Sequence, residues 1–309
     1  MKIFITGVTG YIGGMLAERL LEKKYEVSGL VRSVSSSAAL KLNGCRLYRY
    51  QNDIGSIREA LQDFRPDVVI HLASLFLSNH KSSDIDSLVE SNVLLSARLY
   101  QAMLDVDLNK VINTGTSWEH YENANFNPVN LYAATKGAAE SILNYYSNAK
   151  NFTVLNLKLF DSYGPKDTRK KIFFHLREAV RSGLALKMSP GDQLINLVYI
   201  EDVISAYIKS IDSIHEYSGK HTFGIGAKKL ITLKNLVNCY SHVIQQEVPV
   251  NFGTLPYRDR EVMDPWSDYL GIPDWSPQIS LEEGMLRMEL DGSIGGLLSD
   301  NFKKKSYFS

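Results

Sequence analysis

The chain opens on Lys2-Ile3-Phe4-Ile5-Thr6 and turns at once into Gly7-Val8-Thr9-Gly10-Tyr11-Ile12-Gly13. A β-branched run, a glycine-rich turn, then apolar residues at Ile12, Leu16, Leu20 and Leu21 read as strand, loop and helix. One glycine allows the tight turn, one lets the backbone approach a pyrophosphate, and one lets the helix pack close to the strand. The helix N-terminus adds free N–H groups and a positive dipole end. The spacing is Gly-x-x-Gly-x-x-Gly rather than Gly-x-Gly-x-x-Gly, and elsewhere in a chain such glycines are a plain turn. Directly after a strand and opening a helix, they point to a bound dinucleotide. Thr6, Gly7, Gly10, Tyr11, Ile12 and Gly13 are the candidate residues facing it.

The same rhythm continues. Strand patterns at Val27–Val31, Arg46–Tyr50, Asp67–Ala73, Lys110–Thr114 and Thr153–Leu159 alternate with helical stretches near Ser56–Phe64, Asp84–Asp105 and Asn130–Asn148. This predicts an α/β fold: a Rossmann-like doubly wound parallel sheet with helices on both faces. After Pro165 the pattern changes, with a helix over Arg169–Ser182, a strand over Leu194–Ile200, a helix over Glu201–Ile211 and a strand over His221–Ile225. At 309 residues the chain is too long for one small core. It divides into a dinucleotide-binding domain over 1–165, with a return segment near 194–228, and a smaller C-terminal substrate lobe over 166–193 and 229–309.

The end of the second strand bears on the cofactor. A carboxylate there would bind ribose hydroxyls and repel a 2′-phosphate. The string is Val31-Arg32-Ser33, and Arg32 can pair with a phosphate and stack on adenine. NADP(H) is therefore expected, with NAD less favoured. Lys plus Arg and Asp plus Glu are each 34, a zero net charge that argues against nucleic acid as a partner. Two cysteines, Cys45 and Cys239, make neither a disulfide framework nor a four-ligand zinc site, so no metal is expected. The longest apolar stretch, Val68–Leu77, is half the ~20 residues of a spanning helix, and the N-terminus does not read as a signal peptide. A cytoplasmic protein without a membrane partner is expected, its Lys303–Lys305 run a solvated tail.

Together these pieces resemble the extended short-chain dehydrogenase/reductase family. The residues that carry the resemblance are Thr6–Gly13, His71-Leu72-Ala73-Ser74, Thr116, Tyr132-Ala133-Ala134-Thr135-Lys136 and Phe160-Asp161-Ser162-Tyr163-Gly164-Pro165. Ile112 to Glu122, Leu131 to Lys136 and Tyr257 to Trp266 look closer still to the CDP-paratose and CDP-abequose synthase group of nucleotide-hexulose 4-reductases, which serve deoxysugar and O-antigen biosynthesis. The resemblance implies a catalytic set of Tyr132, Lys136 and Thr116. Tyr-x-x-x-Lys occurs twice, as Tyr132/Lys136 and Tyr146/Lys150. Only the first lies near the start of a helix, where cofactor and strand ends meet. A phenol titrates near 10, and an ammonium one turn away lowers that value. Tyr132 would then give its proton to a developing alkoxide, while Lys136 would also hold the nicotinamide ribose. Thr116 would steady the carbonyl oxygen, with Ser117 the competing hydroxyl.

The resemblance further implies Asp53 and Ile54 at the adenine, although Asp53 also suits a helix N-cap. Leu72, Ala73 and Ser74 would line the cofactor. Asn92 is placed with them, as a helix residue supporting the active-site loops. Ser117, Trp118, Asp161 and Arg258 would contact a nucleotide-diphosphate sugar, with Arg258 on the diphosphate and Arg260 two residues away. His71 reads as a core residue; His120 either faces the sugar or caps its loop. Dehydratases of the family need an acidic pair after the threonine, where this chain has Ser117 and Trp118. A 4-epimerase recycles bound NAD, whereas a 4-ketoreductase consumes NADPH, and Arg32 favours the latter. A non-catalytic NADP(H)-sensing module would need neither Tyr132, Lys136 nor Thr116. A homodimer is expected through Asp84–Asp105 and Asn130–Asn148, with Leu88, Leu95 and Leu99 on one stripe.

Overall fold

The computed structural model describes residues 1–32, 42–291 and 297, so the Lys303–Lys305 run lies outside the described residues. Its centre is a seven-stranded sheet. The strands are β1 (Lys2–Thr6), β2 (Glu26–Val31), β3 (Arg46–Arg49), β4 (Val68–His71), β5 (Lys110–Thr116), β6 (Thr153–Leu159) and β7 (Lys220–Ile225). Their order across the sheet is β7-β6-β5-β4-β1-β2-β3, every pair parallel. The order reverses beside β1, and in such sheets ligands bind outside the carboxyl ends of the strands at that switch point. All four residues of β4 are buried, as a strand covered on both faces requires.

Helices α1 (Tyr11–Glu22), α2 (Ile54–Phe64), α3 (Leu95–Asp105) and α4 (Leu131–Lys150) follow β1, β3, β4 and β5. Local chemistry fixes their ends. The Asp53 carboxylate accepts from Ser56 N at 2.7 Å to start α2, and Asn130 accepts from Ala133 N at 3.0 Å to start α4. Phe4, Leu61, Val69, Leu99, Tyr100, Val111, Leu143 and Phe152 share one core beneath them. Each such burial contributes on the order of 1.5–3 kcal/mol.

The helix expected over Asp84–Asp105 is not continuous. A short helix Ile85–Val89 passes into a π turn, Glu90–Leu94, before α3 begins. An inserted residue of this kind re-aims the side chains on its turn, and such bulges recur at functional sites. The dimer stripe is corrected by the same region. Leu88 and Leu99 are fully buried, and Leu95 packs on the sheet core, so the stripe faces the chain's own interior. Ile85, Val89 and Leu94 are the exposed apolar residues there.

The chain forms two compact units. The first holds 1–159, 203–225 and 266–275; the second holds 160–202, 226–265 and 276–309. The division falls before Phe160 rather than at 165, and a second return, 266–275, joins the first unit without a counterpart in the sequence reading. The strand expected over Leu194–Ile200 splits: Leu194–Ile195 pairs with Ile231–Thr232, and Leu197–Tyr199 pairs with Asp161–Tyr163. Neither half joins the large sheet; Lys220–Ile225 does, beside β6. In the second unit the buried Arg177 and Tyr240 both bond Glu289 at 2.8 Å, tying together helices Ile172–Ser182, Leu233–Ile244 and Leu281–Asp291.

Candidate active site

The glycine turn sits at the carboxyl end of β1. Gly7 has φ +74°, and a Cβ on it would lie 2.6 Å from Ala73 N, so the loop after β4 presses directly on it. A Cβ on Gly13 would lie 2.2 Å from Gly7 O, which requires glycine where α1 meets the turn. Gly10 N donates to Gly7 O at 2.9 Å, and no side chain caps α1 at Gly10. Tyr11 and Ile12 form the helix's first turn. A tight backbone cradle and an uncapped helix end fit a pyrophosphate.

Thr6 lies below this surface. Its buried hydroxyl bonds His71 Nδ1 at 2.7 Å and accepts from Ala73 N at 3.2 Å. Its side chain therefore braces the two loops and is not presented to a cofactor. His71 bonds Ser96 through its other nitrogen at 2.8 Å. Burial, and then the Lys136 charge, push its pKa down to about 3, so it is neutral and structural.

Asn92, on the π turn, is also spent on protein. Its Oδ1 accepts from Ser74 Oγ (3.0 Å) and Leu75 N (2.8 Å). Its Nδ2 donates to Leu75 O (3.0 Å) and Thr135 Oγ1 (2.9 Å). Two donors and two acceptors are the amide's whole capacity. Asn92 is thus a brace that holds Ser74 and Leu75 against α4, rather than a cofactor contact. Asp53 and Ile54 stand at the start of α2, where one Asp53 oxygen serves as the cap. Arg32 follows β2 directly and is exposed.

Thr116 is the last residue of β5, not a residue beyond it. Its Oγ1 accepts from Trp118 N at 3.3 Å, which leaves the hydroxyl hydrogen to donate elsewhere. Ser117 is buried in the following turn, and Trp118 is half-buried. Tyr132 lies in the first turn of α4, with Lys136 one turn on and on the same face. Lys136 is 3% exposed. Burial lowers its pKa to about 8; Glu119 and Glu140 oppose that fall and Lys158 adds to it. The second Tyr-x-x-x-Lys pair is structural. Tyr146 is buried, donates to Gln101 Oε1 at 3.0 Å and packs on Tyr100 and Phe152, whereas Lys150 is exposed over the Tyr145 ring.

Two features escaped the sequence reading. Phe76, 42% exposed, meets Tyr132 edge-on at 4.9 Å and Trp118 at 5.7 Å, an aromatic wall beside the phenol. Glu119 accepts from Thr116 N at 2.9 Å and is paired with Lys158. Lys158, set between Leu157 and Leu159, was the available signal for the second. His120 caps its loop, its Nδ1 on Ala124 O at 3.1 Å and its ring stacked 4.0 Å from Trp266.

Asp161 and Arg258 belong to the second unit. Asp161 is ion-paired to Lys171 at 2.6 Å, and the exposed Arg258 has Glu261 3.8 Å away. Both cysteines are free thiols. Among the described residues no helix is long and apolar enough to cross a membrane, and no three His, Cys, Asp or Glu residues group as metal ligands.

The chain is similar to known proteins over most of its length. CDP-abequose synthase of Yersinia pseudotuberculosis is 31% identical over 273 residues, covering 88% of this chain and 94% of its own. UDP-glucose 4-epimerase of Mycolicibacterium smegmatis is 25% identical, covering 93% and 97%. The structure of UDP-glucuronic acid 4-epimerase from Bacillus cereus, in complex with UDP-glucuronic acid and NAD, has the same fold, with TM-score 0.79 at 24% identity over 93% of this chain and 98% of that one. With residues 3–226 matching its sequence profile, the chain belongs to the NAD dependent epimerase/dehydratase family.

Proposed function

We propose that the protein reduces the C4 ketone of a nucleotide-linked deoxy-4-hexulose with NADPH, a CDP-sugar being favoured, in deoxysugar biosynthesis. The observation that carries this reading is the set formed by Tyr132 and the buried Lys136 on α4 and Thr116 ending β5, followed by Ser117 and Trp118 rather than an acidic pair. The cradle of Gly7 and Gly13 fits a dinucleotide, and a nicotinamide, when bound, supplies the hydride. Thr116 donates its hydroxyl hydrogen to the ketone oxygen. Tyr132 gives its proton to that oxygen as negative charge develops on it. Lys136, as an ammonium, eases the phenol's loss of the proton and holds the ribose. Exposed Arg32 supports NADPH over NAD because a guanidinium pairs with a 2′-phosphate.

The aromatic wall supports a deoxysugar. Phe76, Trp118 and Tyr132 offer apolar faces, which suit a C6 methyl and deoxygenated ring carbons better than hydroxyls. The 31% identity with a CDP-abequose synthase supports CDP. The family resemblance supports Asp161 and Arg258 as further substrate contacts, Arg258 on the diphosphate. A cytoplasmic homodimer is part of the reading, its contact built from exposed Ile85, Val89, Leu94 and Tyr145 rather than the buried leucines. The second reading is a 4-epimerase, favoured by the 25% identity with UDP-glucose 4-epimerase over 97% of that protein. NADPH oxidation against CDP-, dTDP-, GDP- and UDP-linked 4-keto sugars separates the two. A reductase consumes NADPH with a CDP-4-keto-deoxyhexose. Interconversion of UDP-hexoses, with NAD retained through purification and no NADPH oxidised, overturns the proposal.

A further inference from the structure

Four charged side chains meet under the strand ends that carry the proposed catalytic groups. Gly115 and Thr116 of β5 lie opposite Lys158 and Leu159 of β6. A Cβ on Gly115 would come within 2.6 Å of Lys158 Cδ and 3.1 Å of Glu119 Oε1, so the missing side chain is what lets Lys158 pass. The Lys158 ammonium is bonded to both the Glu119 and Glu140 carboxylates. Glu140 also accepts from Lys220 Nζ of β7 at 2.7 Å, and Glu119 Oε1 accepts from Thr116 N at 2.9 Å. Side-chain exposures are 3% for Lys158, 1% for Glu119 and 15% for Glu140. Two carboxylates and two ammoniums cancel, so the quartet carries no net charge of its own. Buried ions far from water are costly unless they are fully paired like this.

Resting on the reading of Thr116 and Lys136 given above, we propose that Glu119, Lys158 and Glu140 are positioning residues: Glu119, held by Lys158, which Glu140 holds in turn, clamps the backbone of Thr116, and the two carboxylates offset the Lys158 charge beside Lys136. The clamp is the bond from Thr116 N, because a strand end held by a carboxylate that is itself held by Lys158 cannot swing. The offset follows from the surroundings of Lys136. Glu119 comes from the turn after β5, Lys158 from β6, Lys220 from β7 behind Glu140, and His71 from β4; Tyr132 and Glu140 share α4 with Lys136. His71 is neutral, so the charges acting on Lys136 are the Glu119 and Glu140 carboxylates, which favour its ammonium, and Lys158, which disfavours it. Burial first, and then the Lys158 charge, drive Lys136 toward the free amine; both carboxylates oppose them. They differ in firmness. Glu140, with two lysines on it, has its pKa lowered to about 2 against the pull of burial. Glu119 is raised, burial outweighing Lys158 and the Thr116 amide.

The charge and the clamp separate experimentally. Glu119→Gln keeps an acceptor for Thr116 N and removes the charge; Glu119→Asp keeps the charge and shortens the reach. The first measurement needs neither cofactor nor sugar. It is the titration of Lys136 in the free protein by NMR of 13Cε-labelled lysine, the signal assigned by its loss in Lys136→Arg. Glu119→Gln should move that titration to lower pH by about one unit or more, because a charge that favoured the ammonium is gone. Glu119→Asp should leave it within a few tenths. The alkaline limb of kcat should follow the same pattern, with Glu119→Asp losing turnover at every pH instead. Glu140→Gln serves if Glu119→Gln does not fold, and should shift the titration in the same direction. An unmoved titration in the folded variants overturns the proposal. A moved titration without 4-keto-sugar turnover in the wild type sustains the network and overturns the reductase reading alone.

Discussion

Gly13 and Gly14 are neighbours on α1 whose replacement by alanine should have opposite effects. A Cβ on Gly13 would sit 2.2 Å from Gly7 O and 2.9 Å from Gly7 C, whereas real Cβ contacts start at about 3.0 Å. The turn must open by roughly 0.8 Å to relieve the first contact, and packed interiors resist such shifts. Gly7 cannot absorb the movement, since its own front is against Ala73 N. Overpacking of this kind costs about 1–3 kcal/mol of stability. The larger effect is on the amides proposed to hold the phosphates, because losing one charge-assisted hydrogen bond is worth about 1.5–3 kcal/mol, roughly 10- to 10²-fold in affinity. On Gly14 the nearest atom, Val8 O, is 3.5 Å away, an ordinary contact. Alanine there should stabilise α1 by about 0.5–1 kcal/mol, since glycine loses more freedom in a helix. NADPH titration by fluorescence, with thermal melts of both variants, reads the two effects. Gly13→Ala should bind roughly 10- to 10²-fold more weakly and melt lower. Gly14→Ala should bind as wild type and melt at or above it. Equal NADPH affinity in Gly13→Ala and wild type would refute the cradle.

Arg32→Ala should weaken NADPH binding by ~1.5–3 kcal/mol, the scale of a charge-assisted hydrogen bond, and leave NADH nearly unchanged; equal losses for both cofactors would remove the basis for NADP preference. Asn92→Ala strands four hydrogen-bonding groups of the loop after β4 and α4, so it should cost about 2–4 kcal/mol of stability by denaturant unfolding, and Asn92→Asp should cost no less, because a buried carboxylate would face Leu75 O and Thr135 Oγ1, which need a donor. Light scattering at micromolar concentration should give a dimer mass for the wild type and a monomer mass for Val89→Glu, because the exposed Val89 belongs to the proposed contact; a wild-type monomer rejects the assembly.

Much of the fold was legible because its signals are local. The glycine turn, the alternation of short β-branched runs with helices, and the apolar run of β4 need only neighbouring residues to be read. What was not legible depended on distant partners. No proline or glycine marks the π turn at Glu90–Leu94; its Asn92 bonds Thr135 and the loop after β4, partners that only the folded chain brings near. Leu88, Leu95 and Leu99 form a stripe in sequence, yet a stripe alone does not say whether it faces the sheet or another subunit. Glu119, Glu140 and Lys220 look like ordinary surface charges in the string, and their pairing depends on Lys158, for which Gly115 leaves room. Phe76 follows a strand end that the motif reading stopped at Ser74, so the aromatic beside Tyr132 went unread.

The central claim, that Tyr132 is the proton donor to a C4 oxygen, is tested by the initial rate of NADPH oxidation with a CDP-4-keto-deoxyhexose in Tyr132→Phe and Tyr146→Phe. Both substitutions remove one oxygen and keep the ring, and Tyr146 loses only its bond to Gln101. Turnover in Tyr132→Phe should fall by ~10²–10⁴-fold, the usual worth of general acid catalysis, with NADPH affinity little changed. Tyr146→Phe should run near the wild-type rate. A live Tyr132→Phe beside a dead Tyr146→Phe would contradict the account.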